Sequence, residues 1–253
     1  MPTGVTSRMP RTASTLLWCI VCLISVNPGI PDSSAAELGI LHQDLRNLAQ
    51  PNSLGLFALG IGAAAVGHRW DDDVRGDLSD AALIEGLMDV ANLYGSTRYT
   101  LLATGGLMAV AHAADLHPLQ PVASETLRAI LLAKVVVIPL KLGVGRQRPD
   151  ASNNLSFPSG HTANAFALTT VLTRRYGWML GLPLYTMTAF VAPARIERER
   201  HYFSDVIGGA ALGALAGWAV TRSSSGSDRQ SRLVMVVPRW APGHSVVEAT
   251  FSL

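Results

Sequence analysis

A series of long apolar stretches, separated by short polar turns, constrains the fold more than any other feature of the sequence. Each stretch has at least twelve residues and is rich in Ala, Leu and Gly. Because they lack strict polar–apolar alternation and are too long for ordinary strands, all of them predict helices. The six stretches are Leu54–Val66, Tyr99–Ala114, Leu127–Leu140, Thr162–Thr173, Trp178–Ala194 and Val206–Val220. The chain is therefore predicted to be all-α, with a six-helix bundle as its core.

Three segments outside these stretches have patterns of their own. Acidic residues among apolar ones predict an amphipathic helix over Leu78–Leu93. The Ser-rich segment Ser223–Ser231 predicts a linker. Beyond it, Leu233–Val237 and Ser245–Phe251 flank a turn-rich segment and predict a short C-terminal β-hairpin.

The first 36 residues have the pattern of an export signal. Arg8 and Arg11 precede an apolar core at Leu16–Val26, and the small residues that follow predict cleavage before Glu37. An uncleaved membrane anchor is the alternative. The predicted organisation is a signal peptide or anchor at 1–36, a helical domain at 37–222, and a polar linker and tail at 223–253.

Three short motifs in the second half of the chain suggest one catalytic site. The first is K-x6-R-P, formed by Lys141 and Arg148-Pro149. Arginine grips two phosphate oxygens with a planar fork, whereas lysine acts as a point charge. Arg195, in the third motif, adds another cation. These three side chains predict a phosphate-binding pocket.

The second motif is Pro158-Ser159-Gly160-His161, at the start of an apolar helical stretch. Ser159 is a favoured N-cap residue type, and Gly160 lets the backbone approach a ligand closely. The free N–H groups at a helix start bind anions. His161 is placed to give a proton to a departing alkoxide.

The third motif, R-x5-H-x3-D, places His201 four residues before Asp205. On a helix the two side chains share one face. A carboxylate there accepts the proton of one imidazole nitrogen and leaves the other nitrogen free to attack. The pair therefore predicts an oriented histidine nucleophile.

In this order, the three motifs resemble those of the type 2 phosphatidic acid phosphatase (PAP2) superfamily. That family includes lipid phosphate phosphatases, bacterial acid phosphatases and vanadium haloperoxidases. The resemblance covers roughly Leu54–Val220 by helix arrangement, and its specificity is concentrated in Lys141–Asp205. The third motif departs from the family's usual Ser-Arg opening, since Ala194 precedes Arg195 here.

The resemblance implies a role for each motif residue. His201 corresponds to the nucleophile that forms a phosphohistidine, Asp205 to its orienting partner, and His161 to the general acid and then base. The phosphate cradle corresponds to Lys141, Arg148, Ser159, Gly160 and Arg195. Such a site stabilises transition-state charge with preorganised cations, so neither a metal nor a cofactor is implied.

The expected reaction is hydrolysis of a phosphorylated lipid: phosphatidate-like, a polyprenyl diphosphate or a lipid A phosphate. A soluble periplasmic acid phosphatase of broad specificity is the alternative, and a vanadate-dependent haloperoxidase is a more distant one. A third is a helical membrane scaffold with a vestigial site. The sequence leaves the oligomeric state open. The formal net charge of +2 argues against a nucleic-acid partner.

The setting of this reaction is less strongly indicated by the sequence. Apolar residues make up 49% of the chain, yet a spanning helix needs about 20 apolar residues and the stretches are shorter. Arg174-Arg175 and Arg222 lie at helix ends opposite the motifs, which places the motifs outside by the positive-inside rule. We expect a membrane-embedded or membrane-seated protein of a bacterial inner membrane with its site facing the periplasm. A soluble periplasmic domain is the alternative.

Other charged residues carry no role in this interpretation. The arginines Arg146, Arg198 and Arg200 are expected to be solvated or membrane-facing. The acidic run Asp71-Asp72-Asp73 is expected to form a solvated cap rather than a metal site. The histidines without a motif partner are His42, His68, His112, His117 and His244.

Overall fold

The computed structural model describes residues 32–78, 85–224, 233–235 and 249–251. Its helices are α1 (Asp32–Leu48), α2 (Pro51–Gly67), α3 (Asp71–Leu78), α4 (Glu85–Gly95), α5 (Thr97–Ala113), α6 (Gln120–Val144), α7 (Gly160–Tyr176), α8 (Trp178–Ala189), α9 (Val191–Glu197) and α10 (Phe203–Ser224). A 3-10 turn, His68–Trp70, joins α2 to α3. The strands β1 (Leu233–Met235) and β2 (Ala249–Phe251) pair antiparallel.

The all-α prediction is confirmed, with more helices than the six apolar stretches indicate. Helix α1 was not predicted. It begins at Asp32, within the predicted export segment, of which residues 1–31 lie outside the described structure. The predicted helix at Leu78–Leu93 corresponds to the end of α3 and most of α4, with residues 79–84 outside the described part.

The prediction of one helix over Trp178–Ala194 is wrong, because α8 ends at Ala189 and α9 begins at Val191. Pro193 favours this break, although α6 and α8 continue through Pro139 and Pro183. A proline inside a helix lacks the N–H for the i−4 carbonyl and clashes with it, whereas the first turn tolerates proline. The break at Phe190 places Pro193 in the first turn of α9 and brings Arg195 to the end of that short helix.

Helices α6, α7 and α10 form the centre of the domain, and small residues allow close packing between α7 and α10. A Cβ atom on Gly209 would lie 2.4 Å from the Ser159 carbonyl oxygen, and one on Gly213 would lie 2.1 Å from that of Ala163. Both distances are far below van der Waals contact, so the two helices meet backbone to backbone. This contact brings the start of α10 beside the start of α7.

Helix α2 has its small residues inward and its large apolar residues outward. Its buried residues are Ser53, Gly60, Ala64 and Gly67. Its exposed large residues are Leu54, Leu56, Leu59 and Val66. Helix α5 repeats the arrangement, with Thr100, Thr104 and Ala111 buried and Tyr99, Leu102, Leu107 and Val110 exposed. This is the reverse of the usual amphipathic helix on a water-facing surface.

Within the described residues, α10 is the helix long and apolar enough to cross a membrane, over Phe203–Ser223. About two thirds of its span is buried inside the protein, so a core helix meets the same criterion. Helices α2 and α5 have 17 residues each, at the lower limit of a transmembrane helix.

Candidate active site

The three motifs meet at one end of the central helices, where α6 ends and both α7 and α10 begin. Gly145, with φ +59°, ends α6 and donates its N–H to the Lys141 carbonyl. The Ser159 N–H donates to the Asp205 carbonyl at 2.8 Å, which ties the start of α7 to the start of α10. The Ser156 N–H donates to the Arg146 carbonyl at 2.9 Å. The first motif is thereby joined to the second, and the second to the third.

Ser159 caps helix α7, as its residue type predicts. Its backbone is extended, and its Oγ accepts from the Thr162 side-chain hydroxyl at 2.9 Å and from the Thr162 N–H at 3.5 Å. Gly160 follows in a restricted space, since a Cβ there would lie 3.4 Å from Lys134 Nζ and 3.9 Å from Lys141 Cε. Two lysines thus flank the turn that begins α7.

The cations of the motifs bind neutral acceptors. Lys141 Nζ donates to the carbonyls of Leu155 (2.6 Å) and Ser156 (3.2 Å). Arg148 Nε donates to Asn153 Oδ1 at 2.9 Å. Among the described residues, neither side chain forms an ion pair with a carboxylate.

Arg195 is only 8% exposed, and its NH1 donates to Asn92 Oδ1 at 2.9 Å. It too has no carboxylate partner in the described part of the chain. Its buried Nε lacks a hydrogen-bond partner there. Burial, together with the charges of Arg148 and Arg198, lowers the pKa of Arg195 to about 10. The positive charge of this end of the protein is therefore left for an anionic ligand.

His201 is 2% exposed and lies just before α10 rather than on it, because the helix begins at Phe203. The expectation that His201 and Asp205 share a helix face is thus wrong in detail. The two side chains are nevertheless adjacent, with 3.8 Å between His201 Nδ1 and Asp205 Oδ2. Nδ1 makes no hydrogen bond among the described residues, and a movement of under 1 Å would form one.

The position of Asp205 follows from helix capping. It is the third residue of α10, and its Oδ2 accepts the N–H of Tyr202, the residue before the helix, at 2.8 Å. This is the return bond of a capping box. Oδ2 also accepts from the Ser156 hydroxyl, and the carboxylate is fully buried. Asp205 is therefore held in one orientation, with Oδ2 towards His201.

Both motif histidines are neutral near pH 7. Burial lowers the pKa of His201 to about 4, with help from the charges of Lys141 and Arg195 and against the opposing effect of Asp205. Burial also lowers the pKa of His161 to about 3, together with the charges of Arg195, His201 and Lys134. A neutral imidazole has the free electron pair that a nucleophile needs.

Two residues that we expected to be solvated lie in this site. Arg146 NH1 donates to Asp205 Oδ1 at 2.7 Å, and its NH2 donates to Asp71 Oδ2 at 2.7 Å. Asp71, the first residue of the acidic run, is 3% exposed and is not a solvated cap. His68, to which we gave no role, lies 2.6 Å from Asp71 Oδ2 through its Nδ1.

The signal for these residues in the sequence is weak. Arg146 lies within the first motif, two residues before Arg148, and an alternating pair of arginines commonly has one of them solvated. Asp71 is 75 residues away from Arg146, and only the tertiary fold brings them together. Asn92 and Ser156, which contact Arg195 and Asp205, carried no sequence signal either.

The fold and site define a helical protein with a cationic pocket around the buried His201 and the half-buried His161. Residues 124–229 match the sequence profile of the PAP2 superfamily. This segment contains all three motifs, so the match agrees with the resemblance that the motifs show.

Curated relatives share parts of the chain. The lipid A 1-phosphatase of Porphyromonas gingivalis is 44% identical over 81 residues, which are 30% of this chain and 18% of that protein. The decaprenylphosphoryl-5-phosphoribose phosphatase of Mycobacterium tuberculosis is 34% identical over 110 residues, 40% of this chain and 60% of that protein. The matches thus span less than two thirds of either relative.

Two solved structures have a similar fold. A transmembrane PAP2-type phosphatidylglycerolphosphate phosphatase from Bacillus subtilis aligns with a TM-score of 0.57 at 20% identity, covering 70% of this chain and 98% of that one. LpxE from Aquifex aeolicus aligns with a TM-score of 0.50 at 24% identity, covering 60% and 94%. At these identities the alignments describe the fold.

Proposed function

We propose that this protein is a phosphatase that hydrolyses a phosphorylated lipid through a phosphohistidine on His201. The observation that carries the proposal is a group of motif cations that have no carboxylate partner among the described residues, around two neutral histidines. His201 is buried and His161 is half-buried. Uncompensated buried charge is costly unless a ligand of opposite sign supplies the partner. A phosphoryl group is such a ligand, and the relatives named above are phosphatases of phosphorylated lipids.

In this mechanism the phosphoryl oxygens bind Lys141, Arg148 and Arg195 and the N–H groups at the start of α7. A neutral nitrogen of His201 attacks phosphorus, and the bond between phosphorus and the lipid oxygen breaks. His161 gives its proton to that oxygen, and the lipid alcohol leaves. Water then attacks the phosphohistidine while His161 takes a proton from it. The phosphorus–nitrogen bond breaks, releasing inorganic phosphate and restoring both histidines.

Because the pKa of His161 is low, this histidine must acquire the proton that it gives to the leaving lipid oxygen. With this pKa the histidine is unprotonated near neutral pH. A phosphate monoester has a second pKa of about 6, so its monoanion carries one proton into the site. The negative charge of the bound phosphoryl group then favours protonation of His161 and allows it to act as the acid.

The outward-facing leucines of α2 and α5 support a lipid setting. Soluble proteins rarely leave large apolar patches in water, whereas small residues facing inward and large apolar residues facing outward suit a helix against lipid. We propose that the helical domain, 37–222, lies in or on the inner membrane with its site facing the periplasm. Residues 1–36 would direct the chain there as a signal peptide or an anchor.

The decisive experiment traps the covalent intermediate. The full chain in detergent micelles is mixed briefly with a 32P-labelled lipid phosphate, and the denatured protein is tested for a label that is stable to alkali and lost in acid. We expect label on the wild type and none on His201→Asn. Label that survives on His201→Asn would overturn the assignment of the nucleophile.

A second measurement tests the lipid. Rates on micellar phosphatidate, a polyprenyl diphosphate and a small soluble ester are compared at equal phosphate concentration. We expect preference for a lipid. Equal rates on the soluble ester would favour the broad-specificity acid phosphatase instead.

A further inference from the structure

We propose that Asp71 and Arg146 are positioning residues that hold Asp205 in place for His201. They form a carboxylate–guanidinium–carboxylate chain, in the order Asp71, Arg146, Asp205. Asp71 comes from the start of α3, outside the segment that matches the family profile. The inference rests on the proposed role of His201 as nucleophile.

Arg146 divides its two terminal nitrogens between two carboxylates. NH1 donates to Asp205 Oδ1 at 2.7 Å and to the Ser204 hydroxyl at 2.6 Å. NH2 donates to Asp71 Oδ2 at 2.7 Å. The guanidinium carbon lies 4.0 Å from the centre of the Tyr202 ring, a cation–π contact that fixes the plane of the fork. Arginine is therefore specified here by geometry as well as by charge.

Asp71 also caps α10, because its carboxylate oxygens accept further hydrogen bonds there. Its Oδ1 accepts the N–H of Ser204, the second residue of that helix, at 2.8 Å, and its Oδ2 accepts the Ser204 hydroxyl at 2.9 Å. The first N–H groups of a helix have no partner inside the helix, so a carboxylate there also stabilises the helix end. Burial acts to raise the pKa of Asp71, but the hydrogen bonds from Arg146 and Ser204 outweigh it and hold the pKa below its usual range.

This division of contacts supports the orientation of Asp205 that the hydrogen bonds from Tyr202 and Ser156 to Oδ2 also favour. A guanidinium commonly binds both oxygens of one carboxylate with two parallel hydrogen bonds. Because Asp71 occupies NH2, Arg146 binds Asp205 only through Oδ1. Oδ2 stays on the side of His201, 3.8 Å from its Nδ1. Without Asp71, the two terminal nitrogens of Arg146 are free to bind both oxygens of Asp205. That would turn the Asp205 carboxylate away from the His201 imidazole.

The charges of Asp71, Arg146 and Asp205 also support the positioning role. Arg146 with Asp205 alone would be a neutral pair. Adding Asp71 gives two carboxylates for one guanidinium, which offsets part of the positive charge that Lys141 and Arg195 place near His201. The imidazole becomes positively charged when it attacks phosphorus, so the second carboxylate stabilises it where a neutral pair would not.

The test compares Asp71→Asn with Asp73→Asn, an exposed position of the same acidic run. Asparagine keeps an oxygen for the Ser204 N–H but removes the charge that occupies Arg146. We expect Asp71→Asn to lower kcat about 10-fold to 100-fold, the range typical of lost orienting partners. The KM for lipid phosphate and inhibition by inorganic phosphate should stay within about twofold, because the cations of the cradle are untouched. Asp73→Asn should match the wild type.

Vanadate separates positioning from a purely structural role. It binds the same cradle as phosphate but also bonds to the nucleophile, so its inhibition constant should rise in Asp71→Asn while that of phosphate does not. Arg146→Lys, which keeps the charge but loses the fork, should show the same split. Equal weakening of phosphate and vanadate, or unchanged kcat in folded protein, would overturn the inference.

An NMR measurement tests the positioning role independently of activity. It applies to variants with little activity and also to the case in which the protein is not a phosphatase. The 15N shifts of the His201 imidazole report which ring nitrogen carries the proton. We expect one tautomer in the wild type and a mixture in Asp71→Asn. Unchanged His201 shifts in the folded variant would contradict the positioning role, whereas an inactive wild type with these expected shifts would contradict only the phosphatase assignment.

Discussion

Arg195, at the site end of the domain, has no carboxylate partner among the described residues, whereas arginines at the opposite end of the central helices do. At the end away from the site, Glu125 on α6 binds Arg175 on α7 with two hydrogen bonds of 2.6 and 2.7 Å, and Asp44 on α1 binds Arg128 on α6 at 2.6 Å. At the site end, Arg195 is buried against a neutral asparagine instead. The described part of the protein thus contains arginines with and without carboxylate partners.

The difference separates structural charge from functional charge. A buried ion pair has its compensation within the protein, and removal of one partner leaves the other uncompensated. A buried cation with only neutral acceptors is compensated when an anion binds. Substitutions at the two ends should therefore have opposite effects on stability and on turnover.

The largest effect is expected at the site end. Arg195→Met should lower kcat/KM for the phosphorylated lipid by about 100-fold to 1000-fold, because one charged donor to the transition state is lost. The midpoint of thermal unfolding should change little, since methionine removes an uncompensated charge and keeps apolar volume. Steady-state kinetics and thermal unfolding in the same detergent check both parts. A large loss of stability with normal turnover per folded molecule would contradict the proposed role of Arg195 in binding the phosphoryl group.

The opposite variant is Glu125→Gln. It removes the charge that compensates Arg175 in a buried pair, so the free energy of unfolding should fall by about 2–4 kcal/mol. Turnover per folded molecule should stay within about twofold. Glu199→Gln serves as the control, because its ion pair with Arg75 is exposed at both side chains and should contribute at most about 1 kcal/mol.

The pH dependence sharpens the comparison, because cations without carboxylate partners help to lower the pKa of His201. In the proposed mechanism the attack requires neutral His201, so kcat/KM should fall below about pH 4 rather than below pH 6.5. For a monophosphate ester it should also fall above about pH 6, where the monoanion that brings the proton is lost. Arg195→Met should move the acid limb upward. A wild-type acid limb near pH 6.5 would contradict this description.

The same shift makes a prediction for stability, with its sign set by linkage. The pKa of His201 is lower in the folded protein than its ordinary value of 6.5, so the unfolded chain binds more protons in this range. Its contribution is fully present above pH 6.5 and is lost as the pH falls towards 4. Thermal unfolding of wild type and His201→Asn across this range measures it, and parallel curves would contradict it.

The smallest effect is expected for Lys134→Met. Lys134 lies beside Gly160 and makes no hydrogen bond or ion pair among the described residues. Its loss should weaken inhibition by inorganic phosphate by a few fold and leave stability unchanged or slightly raised. Leu131→Met, an exposed position three residues earlier on α6, is the control. Tighter phosphate binding in Lys134→Met would show that this ammonium does not face the anion.

The sequence indicated the chemistry of the site more completely than its geometry. The three motifs predicted two histidines, three cations and Ser159 as site residues, because their residue types and spacing suit phosphoryl transfer. The helix register of His201 was wrong, because capping by Asp205 starts α10 two residues after His201. The break before α9 followed from Pro193, which the long apolar stretch obscured.

By itself, the sequence determined an all-α chain with three motifs that resemble those of the PAP2 superfamily, since apolar periodicity and motif spacing are local properties. Only the tertiary structure decided which charges are compensated, because ion pairing depends on distance in space. The motifs assigned Arg195 to anion binding and gave Arg146 no role, but they did not indicate a carboxylate partner for either. The fold brings Asp71 and Asp205 to Arg146, whereas among the described residues Arg195 donates to an asparagine.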